Sequence, residues 1–150
     1  MLSPIVELVQ RLSDVVTLPT VGSDSAGIVV RMIKGTQIAI VGDLSGLIAN
    51  NTLLGCTVWL TARSSVAGGN EVVIYKDSRV GGGVALAVTG TGGVTQKFTV
   101  TLSPTDTVYL DRDQYSFDIR LQLASSAGPY VLCEGVLNLR TAIGEQSPRT

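Results

Sequence analysis

The stretch QYSFDIRLQL, residues 114–123, decides the fold class of this chain. Its polar and apolar side chains alternate without a break from the first residue to the last. Tyr115, Phe117 and Ile119 fall on one face of an extended strand, because successive side chains of a strand point to opposite sides. The residues between them are polar and fall on the other face. The stretch therefore predicts a β-strand with one face in a core and one face in water.

Similar runs on both sides of this strand extend β-structure over most of the chain. Val, Ile and Thr dominate from residue 26 onward, and glycine clusters separate the runs. The predicted strands are residues 28–33, 37–41, 56–63, 71–75, 84–88, 97–102, 114–123 and 130–139. Residues 103–106 are predicted to form a capped single turn, with Ser103 as the cap and Pro104 in the first position. Short strands at regular spacing predict an all-β fold, an antiparallel β-sandwich over residues 26–141. Residues 142–150 show no pattern and are predicted to form a C-terminal tail.

The first 25 residues follow a different pattern. Apolar side chains recur there at spacings of three and four, which places them on one stripe of a helix. These residues are Ile5, Leu8, Val9, Leu12 and Val16. Ser3 and Pro4 suit the first turn, so the pattern predicts a short N-terminal helix over residues 4–15 and a linker to residue 25. The stripe either docks on the sandwich or pairs with a neighbouring molecule, because a lone helix of this length is marginal in water.

The composition is typical of a protein that packs against other proteins. Hydrophobic residues make up 45% of the 150 residues and charged residues 15%, and the net charge at pH 7 is −1. The 11 Lys and Arg residues are scattered singly, which disfavours nucleic acid as a partner because nucleic-acid binding needs clustered basic residues. No apolar run reaches the length of about 20 residues that spans a bilayer, and no targeting signal is recognisable. Neither nucleic acid nor membrane is therefore predicted as a partner, and synthesis in a cytoplasm is expected.

Two cysteines, Cys56 and Cys133, are predicted to be buried thiols and not a disulfide. Both fall in apolar rows of predicted strands, and a cytoplasm keeps thiols reduced. The chain contains no His and no Cys-x-x-Cys pair, so neither a metal site nor a cofactor is predicted.

The side chains that could support catalysis lack the partners that catalysis needs. Without His, the usual general base at neutral pH is absent. Asp111 and Asp113 resemble the start of a calcium loop, but the rest of that pattern is missing, and an exposed turn is predicted. The glycine clusters at 81–83 and 90–93 do not lead into Gly-Lys-Ser or Gly-Lys-Thr, so they are predicted hairpin turns and not phosphate loops. The chain is therefore predicted to have no catalytic residue and not to be an enzyme.

Trp59 is the most informative candidate for binding. It is the only Trp of the chain, and alternation places it on one face with Thr57, Thr61 and Arg63. Two interpretations are open: an exposed aromatic anchor for a partner, or a residue of a strand that is buried on both faces. If the first is correct, the interaction residues are Trp59, Thr57, Thr61 and Arg63, with the stripe of Ile5, Leu8, Val9 and Leu12 as a second contact.

Four motifs occur in order between residues 35 and 141. They are GTQIAI at 35–40, LLGCTVWL at 53–60, VTLSPTDT at 100–107 with Leu110 and Tyr115 after it, and LCEGVLNL at 132–139. Taken together, they resemble the immunoglobulin-like module of tailed-phage structural genes that is typified by the N-terminal domain of baseplate upper proteins. Thr36 stands where that family usually has Asp, so the first motif matches in part.

The resemblance implies a β-sandwich of the virion that anchors tail, baseplate, neck or fibre parts. The expected partners are other virion structural proteins and further copies of the chain, with a trimer favoured, and assembly would follow synthesis in the host cytoplasm. A capsid decoration (cement) protein is the alternative within the same class. A carbohydrate-binding module for host recognition is the alternative of another class, and the small number of aromatic residues disfavours it.

Overall fold

The structure is a computed structural model, and it describes residues 6–9, 15–18, 28–44, 55–64, 71–79, 82–89, 95–123 and 128–140. These residues form ten β-strands and one helix of a single turn. The strands are β1 (Val6–Val9), β2 (Val15–Thr17), β3 (Ile28–Ile33), β4 (Ile38–Asp43), β5 (Thr57–Ser64), β6 (Val72–Asp77), β7 (Val84–Thr89), β8 (Thr95–Leu102), β9 (Gln114–Gln122) and β10 (Tyr130–Arg140), and the helix is α1 (Pro104–Thr107). The all-β prediction is confirmed.

The eight strands predicted from the sequence correspond to β3–β10, and their ends differ from the prediction by at most two residues. These strands are local features, because side-chain alternation and the glycine turns between runs are both encoded over a few residues. Gly35, for example, has a φ of 76° in the turn from β3 to β4, a conformation that favours glycine.

The strands form two mixed sheets. One has six strands in the order β1-β3-β10-β9-β5-β6, and the other has four in the order β2-β4-β8-β7. Three pairs are parallel: β1 with β3, β3 with β10, and β2 with β4. The prediction of purely antiparallel sheets is therefore wrong. Alternation is the same in parallel and antiparallel strands, so it carries no information about strand direction.

The predicted N-terminal helix over residues 4–15 is also wrong. Val6–Val9 is a strand that pairs with β3, and Val15–Thr17 is a strand that pairs with β4. Valine is β-branched and loses side-chain freedom in a helix but not in a strand. Pairing with two sheets also supplies backbone partners and packing that a lone helix of three turns would lack. The predicted linker to residue 25 and the tail at 142–150 lie outside the described residues.

The inner faces of both sheets share one hydrophobic core. The predicted apolar row of β9 is confirmed, since Tyr115, Phe117, Ile119 and Leu121 are all buried. Both cysteines are buried free thiols, as predicted. None of the helices in the described ranges has the length and apolarity to cross a membrane.

The connection from β8 to β9 is fixed by hydrogen bonds and one ion pair. The backbone N–H of Ser103 donates to Asp106 Oδ2 at 2.6 Å at the start of α1, where the sequence predicted a capped turn. Lys76 Nζ lies 2.9 Å from the same Asp106 Oδ2, which links β6 to this turn. The Tyr115 hydroxyl accepts a hydrogen bond from the Arg112 N–H at 3.1 Å. The ion pair therefore joins α1 to β6, and the Tyr115 hydroxyl holds the end of the connection at the start of β9.

Candidate partner-binding surface

Strand β5 positions the four residues that the sequence singled out around Trp59. Val58, Leu60 and Ala62 are buried in the core, so the alternate residues project from the opposite face of the sheet. On that face Arg63 is exposed, Thr57 and Trp59 are half-buried, and Thr61 is buried. Trp59 therefore lies between the two interpretations: it is outside the core, yet its neighbours on the sheet cover much of it.

Strand register brings charged and aromatic side chains from other strands next to these residues. Trp59 lies opposite Arg120 of β9 and opposite Asp77 of β6. Thr61 lies opposite Asp118 and Tyr75, and Glu134 of β10 lies opposite Asp118 on its other side. We use "outer face" for the set Trp59, Thr61, Arg63, Tyr75, Ser116, Asp118, Arg120 and Glu134.

An open groove of about 550 Å³ crosses the outer face. It runs over β3, β10, β9 and β5, and its polar lining comes from Thr61, Arg63, Ser116, Asp118 and Glu134. The groove thus combines two hydroxyls, two carboxylates and one guanidinium. No three His, Cys, Asp or Glu side chains lie close enough together to hold a metal ion in the part of the chain that the structure describes.

Asp118 lies near the middle of this face. Its Oδ2 atom accepts hydrogen bonds from Arg120 Nη2 at 3.1 Å and Arg120 Nε at 3.3 Å. Its Oδ1 atom is buried and has no hydrogen-bond partner among the described residues. A buried acceptor without a donor costs about 1–3 kcal/mol.

The turn from β6 to β7 supports the end of the outer face next to Trp59. Asp77 is 6% exposed, and its Oδ1 accepts from the Arg79 N–H at 3.0 Å. Its Oδ2 accepts from Arg79 Nη2 at 2.6 Å and from Arg79 Nε at 2.9 Å. The hydrogen bonds from the Arg79 side chain are the main reason that the pKa of Asp77 lies below its ordinary value, against the opposing effect of burial. Asp77 is therefore ionised at neutral pH and holds the turn in place.

Two carboxylates of the outer face also affect the pKa of Cys133, whose thiol is buried in the core. The pKa of Cys133 is raised from 9.0 to about 12, mainly by burial and in smaller part by the negative charges of Asp118 and Glu134. The thiol is therefore protonated in the folded protein at any pH near neutral, and a protonated thiol is a poor nucleophile.

We expect the stability of the folded protein to fall as the pH rises from about 9 towards about 12. The unfolded chain loses the Cys133 proton near the ordinary pKa of 9.0, whereas the folded protein keeps it until about 12. The unfolded state therefore binds fewer protons in this window, and the free energy of unfolding drops by up to about 1.4 kcal/mol per pH unit. Urea unfolding at several pH values between 8 and 11 measures this loss.

Two variants separate the effect of Cys133 from that of other groups that titrate at alkaline pH. Cys133→Ala should show a shallower alkaline loss than the wild type, while Leu132→Ala, which shortens the neighbouring buried side chain and removes no titratable group, should keep the wild-type slope. Equal slopes in the wild type and in Cys133→Ala would contradict the prediction.

The predicted second contact, the stripe of the N-terminal segment, does not form as a helical stripe. Leu8 and Val9 belong to β1, where they lie opposite Val30 and Arg31 of β3. Ile5 and Leu12 lie outside the described residues. Within the described residues, β1 is separated from β5 by three strands of the same sheet.

Sequence reasoning missed the neighbours of Trp59. Alternation had already placed Ser116, Asp118 and Arg120 on the solvent-facing side of β9, but only the register between β9 and β5 puts them beside Trp59.

A scan of protein-family models found no family that matches the chain, and a search of curated proteins found no relative. The outer face and the four sequence motifs are therefore the observations that bear on function.

Proposed function

We propose that the chain is a non-enzymatic structural protein of a tailed-phage particle. Its β-sandwich would join neighbouring virion proteins at a tail, baseplate, neck or fibre junction. The outer face is the observation that carries the binding role, and the four sequence motifs carry the assignment to a phage particle. The partners are other virion structural proteins and further copies of the chain.

The order of the strands supports an immunoglobulin-like plan for the sandwich. In that plan, one sheet contains strands G, F, C and C′, and the other contains B, E and D. The orders β10-β9-β5-β6 and β4-β8-β7 follow the same sequence of connections. Tyr115 adds a second point of similarity, because immunoglobulin-like domains have a Tyr near the start of strand F whose hydroxyl bonds to the backbone a few residues upstream.

The composition of the outer face supports protein binding. Aromatic residues and Arg are enriched at protein interfaces and supply most of their binding energy. Here Trp59 lies opposite Arg120, and Tyr75, which is 49% exposed, lies two residues from Asp77 on the neighbouring strand. The strands of Trp59 and Arg120 have a paired strand on each side, so binding through these two side chains would cost little conformational entropy. The groove beside them offers carboxylate acceptors and a guanidinium donor to a polar partner.

A capsid decoration protein and a tail adaptor would both bind neighbours through such a face. The two roles differ in where the protein lies in the particle. Mass spectrometry of purified particles tests whether the chain is a virion component, and immunogold labelling in the electron microscope locates it. If the particles contain no copies of the chain, the proposal is wrong.

The role of the outer face is tested by incorporation of variants into the particle. We expect Arg63→Glu and Trp59→Ala to reduce the number of copies per particle at least about tenfold, since loss of a central interface residue costs roughly 2 kcal/mol or more. Arg63 is exposed, so Arg63→Glu should leave the fold intact, as circular dichroism would verify. Tyr109→Ala is the matched control: Tyr109 is 88% exposed in the β8–β9 connection and is not one of the residues of the outer face. If Arg63→Glu and Trp59→Ala are both incorporated like Tyr109→Ala, the outer face is not the contact.

A further inference from the structure

The lining of the groove on the outer face changes from acidic to apolar along strand β10. Glu134 and Val136 both belong to this strand, and both line the groove. Glu134 is exposed and lies opposite Asp118 of β9. Val136 is half-buried and lies opposite Val29 of β3, which also lines the groove. This part of the groove therefore has two carboxylates on one side and two valines on the other.

Glu134 and Asp118 form a cross-strand pair of the kind whose side chains lie closest. The N–H of Leu139 donates to the Asp113 oxygen at 2.7 Å, so these two residues form a hydrogen-bonded pair of the same ladder. Hydrogen-bonded and non-hydrogen-bonded pairs alternate along antiparallel strands. Glu134 and Asp118 lie five pairs further along, so theirs is a non-hydrogen-bonded pair, with Cα atoms about 4.5 Å apart.

The charge of Glu134 is not balanced within the described part of the chain. Like charges directly opposite each other on one face destabilise a sheet. Arg120 offsets the charge of Asp118, because its Nη2 and Nε atoms donate to Asp118 Oδ2. No Lys or Arg in the described ranges forms an ion pair with Glu134. Because Glu134 is exposed, a cation from another molecule can reach it and relieve the repulsion.

The two sides of the groove match the two parts of a basic side chain. Lys and Arg carry a charged group on an aliphatic stem, and the stem packs on apolar surface while the charged group stays at polar surface. Here the charged group would meet Glu134 and Asp118, and the stem would lie along Val136 and Val29. Arg63 is the only cation among the described residues of the groove lining, and it is on β5, two strands and about 10 Å from β10.

We propose that the groove beside Glu134 receives a Lys or Arg side chain of a partner protein. The inference rests on the proposed function, because it names the chemistry through which the outer face binds its neighbour. The carboxylates attract the basic group at one end of the groove, and Arg63 repels it at the other end. Charges arranged in this way fix the orientation in which a partner docks.

Binding of single capped amino acids tests the site in the absence of any virion protein. The probes are Nα-acetyl-arginine methylamide and Nα-acetyl-lysine methylamide, and Nα-acetyl-citrulline methylamide is the uncharged control with the shape of arginine. In ¹H–¹⁵N NMR spectra of the full chain, we expect at least one charged probe to shift the amide signals of Glu134 and Val136 in a saturable manner. Citrulline should cause a much smaller shift. No response to either charged probe, or an equal response to citrulline, would overturn the inference.

Glu134→Gln separates binding from stability. The variant should bind the charged probe about two- to fivefold more weakly, the range of an exposed ion pair. It should be at least as stable as the wild type towards urea, because it removes one of two like charges that face each other. Asp113→Asn, which neutralises an exposed carboxylate outside the groove, should bind like the wild type. Wild-type binding by Glu134→Gln, or a clear loss of its stability, would contradict a carboxylate that is kept for an external cation.

Incorporation into particles tests the same site with its natural partner. We expect Glu134→Lys to be incorporated at least about tenfold less than Asp113→Lys, which makes the same change of charge outside the groove, because two cations would then meet at the contact. Equal incorporation of the two variants would overturn the inference and leave the proposed function standing, since the chain would still be a virion component. Particles without the wild-type chain would contradict the proposed function, and the capped probes would still decide whether the groove binds a basic side chain.

Discussion

Replacement of Gly135 by valine is expected to lower the free energy of unfolding by about 3–4 kcal/mol. Gly135 lies in β10 between Ile28 of β3 and Phe117 of β9. A Cβ atom at this position would lie 2.3 Å from the Ile28 carbonyl oxygen and 2.9 Å from Phe117 Cε1. The backbone oxygen cannot rotate away, so the parallel strands β3 and β10 would have to separate. A fold with a total stability of about 5–15 kcal/mol would lose a large share of it.

Urea unfolding of Gly135→Ala and Gly135→Val measures this effect. Gly135→Ala should cost about 2 kcal/mol, because the clash already arises at the first carbon of the side chain. Ser116→Val is the control: it adds a β-branched side chain at an exposed position of β9 and should change the stability by less than about 0.5 kcal/mol. If Gly135→Val unfolds at the same urea concentration as the wild type, β3 and β10 are not in this register.

Removal of the Phe98 ring is expected to destabilise the fold by about 3–5 kcal/mol. Phe98 is fully buried in β8 and lies opposite Gly42 of β4. Its ring covers the glycine so closely that a Cβ on Gly42 would lie 2.4 Å from Cε1 and Cζ. The ring thus fills the space that a side chain at position 42 would occupy, and Phe98→Ala would leave a cavity there.

A double-mutant cycle tests this shared space. In the wild type, Gly42→Ala should lower the stability by about 1–3 kcal/mol, because the new methyl group overlaps the ring. In the Phe98→Ala background, the same substitution should raise the stability by about 1 kcal/mol, because the methyl group then fills part of the cavity and alanine is less flexible than glycine in the unfolded chain. An effect of the same sign in both backgrounds would show that the two residues do not share this space.

The close packing at Gly135 and at Phe98 also supports the surface that we propose to bind a partner. Gly135 lines the groove of the outer face, and its contact with Ile28 brings β3 against β10. Phe98 joins β4 to β8, the strand on which β7 is built. The outer face and the core behind it therefore depend on close packing between strands that are far apart in the chain. Variants of these two residues would weaken binding through loss of the fold, which is why the exposed Arg63 is a better test of binding.

Side-chain alternation along single strands predicts only part of the candidate site. Within β5 it groups Thr57, Trp59, Thr61 and Arg63 correctly on one side, because the positions of neighbouring side chains in a strand follow from the backbone itself. It cannot bring Arg120 beside Trp59, since the two are about sixty positions apart and meet only through the pairing of β5 with β9. A shift of that pairing by one residue would turn these side chains to the other face.

The sequence by itself determined the β-strands from residue 28 to residue 140, the turn at Ser103 and Pro104, and the buried rows that contain both cysteines. Those features depend on side-chain alternation, turn residues and apolar character, which act over a few positions. Only the tertiary structure decided that Val6–Val9 and Val15–Thr17 are strands, that three strand pairs are parallel, and that Gly135 must lack a side chain. Each of these depends on which backbone lies alongside, and the free energy of that pairing comes from residues far away in the chain.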